Sequence, residues 1–183
     1  MTKKTNYMVL SGIFIALGIL LPVVFHSIPN GGSIFLPMHL PVMVVAFFVP
    51  WPWALAVGAV TPLLSSLLTG MPPIAPFPMA IIMAFELATY GVCISLLKKL
   101  WVRPERWYSP LLVLIPTMLL GRLVGAACLW VSVRFFGVKG PAPWIFVTGS
   151  LAKGLPGLIA QVILVPMLYH MLVRNVPGCK AIK

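Results

Sequence analysis

Residues 77–97 read FPMAIIMAFELATYGVCISLL, an almost unbroken apolar run that contains one charged side chain, Glu86. An α-helix needs about 20 apolar residues to cross the hydrocarbon core of a bilayer, which is about 30 Å thick. The run is continuous, whereas the strands of a membrane β-barrel alternate apolar and polar residues. This stretch therefore predicts a transmembrane helix, and it decides the fold class.

Five further apolar runs have the same character, and turns rich in glycine and proline separate most of them. The pattern predicts an all-α membrane protein with six transmembrane helices in one bundle. Residues 1–183 then form a single integral-membrane domain. The predicted spans are approximately 7–25, 36–49, 53–69, 77–97, 110–133 and 149–173.

The composition of the whole chain agrees with this fold class. Of 183 residues, 61% are hydrophobic and 8% are charged, whereas a soluble domain usually carries about 25% charged residues. An ordinary water-soluble enzyme and a disordered chain are thereby excluded. The GxSxG, HExxH and Walker A motifs are missing, and two acidic residues offer few groups for catalysis or metal binding. We therefore expect no enzyme activity, no catalytic or metal-ligating residue, and no cofactor or ATP bound by this chain.

Basic residues outnumber acidic residues by 13 to 2, and their distribution predicts the orientation of the helices. Lys and Arg concentrate in cytoplasmic loops of membrane proteins, so the excess does not indicate nucleic-acid binding. With both termini in the cytoplasm, nine basic residues lie inside and two or three outside, which predicts a multi-pass protein of the cell membrane in that orientation. The inside set is Lys3, Lys4, Lys98, Lys99, Arg103, Arg106, Arg174, Lys180 and Lys183, and the outside set is Arg134 and Lys139, with Lys153 as an optional third member.

A few polar side chains inside the predicted spans are candidates for function, because ionisable groups in hydrocarbon are costly. Glu86 and Arg122 lie at similar depths of the fourth and fifth spans. They either neutralise each other as a buried ion pair or face a ligand, and one pair can do both. Lys153 in the last span either reaches a ligand or extends to the outer surface. Gln161 either binds a ligand or hydrogen-bonds another helix.

Two aromatic side chains and one pair of small residues add to the candidates. His39 stands between prolines at the start of the second span, where it either caps the helix or offers a hydrogen-bonding group at the mouth of a site. Tyr90 is a weaker candidate of the same kind. Gly12 and Ala16 form a small-xxx-small pair on the first span, and such pairs let another helix approach closely. They predict a docking face.

Several short motifs resemble those of one transporter family. Six short spans in 183 residues, a Lys-rich N-terminus before a first helix with small residues, and long outer loops resemble the substrate-binding S components of energy-coupling factor (ECF) transporters. The motifs that carry the resemblance are Pro37-Met-His-Leu-Pro-Val42, Trp51-Pro-Trp53 with Gly58 and Pro62, Gly70-Met-Pro-Pro73, and Met83-Ala-Phe-Glu-Leu-Ala-Thr-Tyr-Gly91.

The resemblance implies a function and a set of partners. Such proteins capture a water-soluble vitamin or related micronutrient from outside, and they dock on a transmembrane coupling protein that carries two cytoplasmic ATPases. Gly12 and Ala16 match, as a small-residue variant, the family's alanine-xxx-alanine motif for docking. The implied ligand site lies toward the outer side and includes His39, Glu86, Tyr90, Arg122, Lys153 and Gln161.

The sequence leaves the ligand open. A lone intramembrane carboxylate suits a protonatable ring nitrogen or amino group, which favours hydroxymethylpyrimidine or pyridoxine. Arg122 and Lys153 instead suit a carboxylate such as that of pantothenate, and if Glu86 pairs with Arg122, Lys153 favours an anionic ligand. Between these alternatives the sequence slightly favours hydroxymethylpyrimidine or pyridoxine, with pantothenate next. Two other functions stay open as well: a stand-alone proton-coupled secondary carrier that uses Glu86, and a membrane scaffold that binds no small molecule.

Overall fold

A computed structural model describes residues 2–25, 31–103, 105–138, 140 and 142–175. Those residues form seven α-helices and no β-strand, which confirms the predicted all-α class. Lys139, Lys180 and Lys183, three of the basic residues used to predict orientation, lie outside the described residues. The helices are α1 (Lys3–Phe25), α2 (Gly31–Phe35), α3 (His39–Ala46), α4 (Trp51–Thr69), α5 (Met79–Trp101), α6 (Ser109–Phe136) and α7 (Pro143–Asn175).

Five of these helices, α1, α4, α5, α6 and α7, are long and apolar enough to cross a membrane. They coincide with five of the six predicted spans. Several extend past the predicted bounds, because helical hydrogen bonding continues beyond the apolar run; α7, for example, already begins at Pro143. The count of six spans and the cytoplasmic position of the termini stay predictions.

The predicted second span, 36–49, differs from a continuous helix. The chain forms the five-residue α2, breaks at Leu36, and then forms the eight-residue α3. Leu36 has a φ of 49°, in the left-handed region that a helix cannot contain, and the proline that follows it has no N–H to donate. At 1.5 Å per residue α3 is about 12 Å long, so it cannot cross the membrane alone.

The short α3 is the most enclosed element of the described chain. Every side chain from Val42 to Val49 is at most 5% exposed, because α1, α4, α5 and α7 all pack around this segment. A helix buried on all sides is apolar all round rather than on one stripe. This burial explains the uniform hydrophobicity of the segment and holds its first residue, His39, in the interior.

Lys98 holds the C-terminal end of α3. The Lys98 Nζ donates hydrogen bonds to the carbonyl oxygens of Ala46 (3.0 Å), Phe47 (3.0 Å) and Val49 (2.7 Å). The Ser95 hydroxyl donates a further bond, 2.8 Å long, to the Val49 oxygen. The carbonyls at the end of a helix have no partner within that helix and need donors where water is scarce. Lys98, which the sequence assigns to the cytoplasmic loops, therefore caps α3.

Glycines allow α4 and α5 to run almost in backbone contact. A Cβ atom added at Gly58 would overlap the backbone carbonyl of Leu87, and one added at Gly91 would overlap that of Ala54. The two contacts occur in opposite order along the two helices, so α4 and α5 are antiparallel. Small residues drive helix association in membranes by allowing such close packing. α4 therefore packs closely against α5, which carries two residues of the site described below.

We predict that Gly58→Ala destabilises the purified protein by about 1–3 kcal/mol, because the added methyl group forces the two backbones apart. Gly149→Ala is the matched control, since Gly149 is also helical but has open space around its Cα. Thermal unfolding in detergent measures both variants. Equal melting temperatures for Gly58→Ala and Gly149→Ala would contradict the close approach of α4 and α5.

Candidate ligand-binding site

Three helices bring together four of the six site residues predicted from the sequence. α3 contributes His39, α5 contributes Glu86 and Tyr90, and α6 contributes Arg122. Glu86 and Tyr90 are four residues apart and therefore lie on the same face of α5. All four side chains are buried, with exposed fractions of 1% for His39, 1% for Glu86, 0% for Tyr90 and 6% for Arg122. They form a cluster of buried polar side chains that includes both charges of the pair Glu86 and Arg122.

The cluster is centred on one oxygen atom, Oε1 of Glu86. The Arg122 Nη1 lies 3.0 Å from it, and the Tyr90 hydroxyl donates a 2.6 Å hydrogen bond to it. The Nε2 of His39 lies 3.6 Å away, too far for a direct hydrogen bond. The His39 and Tyr90 rings also lie against each other, with centroids 5.8 Å apart. The ion pair between Glu86 and Arg122, one of the alternatives that the sequence left open, is therefore present.

Two glycines on α6 make room for the cluster. A Cβ at Gly121 would overlap the Tyr90 ring, and a Cβ at Gly125 would lie 3.3 Å from the Glu86 Oε2. Both glycines flank Arg122 in the sequence Gly121-Arg-Leu-Val-Gly125. The charged residue therefore lies between the two glycines whose missing side chains leave room for Tyr90 and Glu86. These two glycines were not among the residues predicted from the sequence. The sequence feature that could have indicated them is a small-xxx-small pair that flanks a charged residue within a predicted span.

Gln161 joins the cluster indirectly, through the break between α2 and α3. Its Nε2 donates a 3.4 Å hydrogen bond to the carbonyl oxygen of Leu36, which also accepts a 3.1 Å bond from the backbone N–H of His39. One turn earlier on α7, a Cβ at Gly157 would overlap the backbone of Phe35. α7 thus holds the broken segment in place, and Gln161 donates a second hydrogen bond to the Leu36 carbonyl.

Lys153, the sixth predicted site residue, lies apart from the cluster. Its side chain is exposed, and no hydrogen bond or ion pair links it to another residue in the described part of the chain. The buried face of α7 instead includes Gly154, Gly157 and Gln161. This placement agrees with the alternative that Lys153 extends to the surface.

Several buried polar atoms, in the cluster and on α6 and α7, lack a hydrogen-bond partner among the described residues. They are Nε and Nη2 of Arg122, both ring nitrogens of His39, the Thr117 hydroxyl and Oε1 of Gln161. Leaving a buried donor or acceptor unpaired costs about 1–3 kcal/mol, and native proteins rarely accept that cost without a reason. Thr117, which the sequence analysis missed, lies one turn before Gly121 on α6. Such a set of unpaired groups is suited to binding a polar molecule.

Metal binding has no support in the described residues, where no three His, Cys, Asp or Glu side chains come close enough to share an ion.

The predicted docking pair lies on the outside of the bundle. Gly12 and Ala16 are exposed on α1, and a Cβ at Gly12 would meet nothing within 4 Å. By contrast, Gly18 on the same helix is buried against Thr61 of α4. The small-residue pair therefore takes no part in packing within the described chain, and this face of α1 is open to another helix.

The chain belongs to the family of ECF transporter substrate-specific components, whose family model matches residues 6–169. The match confirms the resemblance noted in the sequence, and together with the long apolar helices it indicates a multi-pass membrane protein of a transport system. A comparison with curated proteins gave no match, and neither did a comparison with solved structures.

We predict that Glu86→Gln destabilises the protein by about 3–5 kcal/mol, because it leaves the buried charge of Arg122 unpaired. Adding Arg122→Gln removes that charge and should restore most of the lost stability. Glu105→Gln is the matched control, since Glu105 is exposed and its loss should change stability by at most about 0.5 kcal/mol.

Thermal unfolding of the single and double variants in detergent makes this comparison. A Glu86→Gln variant as stable as Glu105→Gln, or a double variant less stable than Glu86→Gln alone, would contradict the pairing.

Proposed function

We propose that this chain is the substrate-capture subunit of an ATP-driven ECF importer and that it binds a B-type vitamin or a vitamin precursor from outside the cell. Membership of the substrate-specific component family supports this proposal. The observation that carries it is the buried cluster around Glu86, whose unpaired donors and acceptors suit a small polar ligand. A polar group inside an apolar bundle needs such a reason to be there.

The proposed orientation places both termini in the cytoplasm and gives six crossings. In this arrangement α2, α3 and their linkers together make the second crossing, as a broken helix. Non-helical backbone at membrane depth is tolerated where protein surrounds it, and broken helices are common at transporter binding sites. The contacts of Leu36 with Gln161 and of Lys98 with the end of α3 supply the hydrogen bonds that such a crossing requires.

The proposed partners are a transmembrane coupling protein and two cytoplasmic ATPases, as in the family generally. ATP is then bound by the ATPases, and this chain contributes neither a nucleotide site nor catalysis. The exposed pair Gly12 and Ala16 is the proposed contact with the coupling protein, because a partner helix can approach α1 closely there. The neighbouring exposed side chains Met8, Ile13 and Leu20 provide apolar surface on the same helix.

A stand-alone carrier that moves protons through Glu86 fits the geometry less well. The Glu86 Oε1 is already paired with the Arg122 guanidinium and accepts a hydrogen bond from the Tyr90 hydroxyl. Protonating this carboxylate would leave Arg122 as an uncompensated buried charge, which is strongly destabilising. A proton-coupled carrier needs a carboxylate that can be protonated and deprotonated at a small cost in free energy.

We predict that Gly12→Leu or Ala16→Leu abolishes uptake by the assembled complex but leaves ligand binding to the isolated chain unchanged. The bulky side chains push a partner helix away without disturbing the bundle, since both positions face outward. Gly149→Leu, an equally open position on α7, is the control and should leave uptake intact. Loss of ligand binding in Gly12→Leu would mean that this face serves the bundle itself.

Co-purification and uptake test the proposed function as a whole. The chain should co-purify with a coupling protein and two ATPases, and reconstituted uptake should require ATP hydrolysis. Uptake by the chain alone that collapses with the proton gradient would contradict the proposal and favour the secondary carrier. Failure to bind any small molecule would favour a scaffold.

A further inference from the structure

We propose that the cargo carries a carboxylate and that this group binds the free edge of the Arg122 guanidinium, formed by Nε and Nη2. The inference rests on the proposed substrate-capture function and adds the chemical class of the ligand. Glu86 contacts only one nitrogen of the Arg122 guanidinium, Nη1.

A guanidinium presents its N–H groups in a rigid planar fork, and Nε and Nη2 lie on one side of it. Glu86 is 3.0 Å from Nη1, on the other side. Nε and Nη2 are buried and have no hydrogen-bond partner among the described residues. Two parallel N–H groups match the two oxygens of a carboxylate, and such bidentate contacts are among the strongest hydrogen bonds in proteins. The free edge of Arg122 therefore has the geometry of a carboxylate receptor.

The charges around Glu86 argue against a cationic cargo. The Glu86 Oε1 already has Arg122 and Tyr90 as partners, and the His39 ring stands beside it. A cationic nitrogen bound to the Glu86 carboxylate would lie near the positive charge of Arg122. The preference for hydroxymethylpyrimidine or pyridoxine assumed a free Glu86, and the ion pair removes that assumption.

The surroundings of Arg122 strengthen the preference for an acid. Arg122 is 6% exposed, so a ligand must give up its water to reach the free edge, and charge-assisted bonds are stronger in such a low-dielectric interior. His39 and Thr117 offer further unpaired polar groups in the same bundle. An uncharged hydroxyl would leave part of the fork unsatisfied.

The test uses the full-length protein in detergent and a panel of vitamins in matched pairs. Each pair consists of an acid and a neutral analogue: pantothenate with pantothenol, nicotinate with nicotinamide, and biotin with biotin amide. Pyridoxine and hydroxymethylpyrimidine represent cargoes that accept a proton. Isothermal titration calorimetry gives the affinities. We expect one acid to bind and its neutral analogue to bind about 10- to 150-fold more weakly, the range expected for a lost charge-assisted hydrogen bond.

The possible outcomes separate this inference from the proposed function. Tighter binding of pyridoxine or hydroxymethylpyrimidine than of every acid overturns the carboxylate inference and leaves substrate capture standing. Equal affinity for an acid and its neutral analogue also overturns it, because Arg122 then serves only Glu86. No binding by any of the three acids overturns it as well, while ATP-driven uptake by the assembled complex separately decides the proposed function.

The variant Arg122→Lys tests the residue assignment. Lysine keeps a positive charge for Glu86 but lacks the fork, so acid affinity should fall by about 10- to 150-fold while the neutral analogue is affected little. Thermal unfolding checks that the variant is folded, and the wild-type panel decides the ligand class if it is not. Lys153→Gln removes the other cationic candidate. Loss of acid binding in Lys153→Gln but not in Arg122→Lys would overturn the assignment to Arg122.

Discussion

A charge inside a membrane protein needs a partner, and this constraint organises the interior of the bundle around Glu86. Arg122 on α6 provides the opposite charge at 3.0 Å, and Tyr90 provides a hydrogen bond from the next turn of α5. Glycine is favoured at positions 121 and 125 because the Tyr90 ring and the Glu86 carboxylate occupy the space that a larger side chain would need. One ion pair thus fixes the contact between two long helices and sets the position of the polar cluster.

The rest of the bundle brings a third element, α3, to that pair. α3 is a short helix enclosed by its neighbours, and both of its ends are held by side chains from other helices. Lys98 binds the carbonyls at one end, and His39 lies against Tyr90 at the other. The break before α3 exposes the Leu36 carbonyl to Gln161. The first residue after the break region, His39, thereby lies next to Glu86.

The sequence predicted much of this arrangement, and its failures have physical causes. Apolar run length gave the five long helices, and the matched depths of Glu86 and Arg122 indicated either an ion pair or a site. Hydropathy carries no information on backbone dihedral angles, so the break at Leu36 was not foreseen. Lys98 looked like a loop charge because its three carbonyl partners come from a segment some fifty residues away. Lys153 was predicted for its charge and from the family resemblance, but its side chain is exposed and has no hydrogen bond or ion pair to the cluster among the described residues.

The central claim is that the cluster on Glu86 and Arg122 is a ligand site and not only an ion pair that holds two helices together. Mass spectrometry of the small molecules released from the purified protein tests this claim without assuming a ligand. We expect one small carboxylic acid to be released from the wild-type protein and to be strongly depleted in folded Arg122→Lys. Wild-type protein that releases no small molecule, or the same molecule retained in equal amount by Arg122→Lys, would contradict the claim.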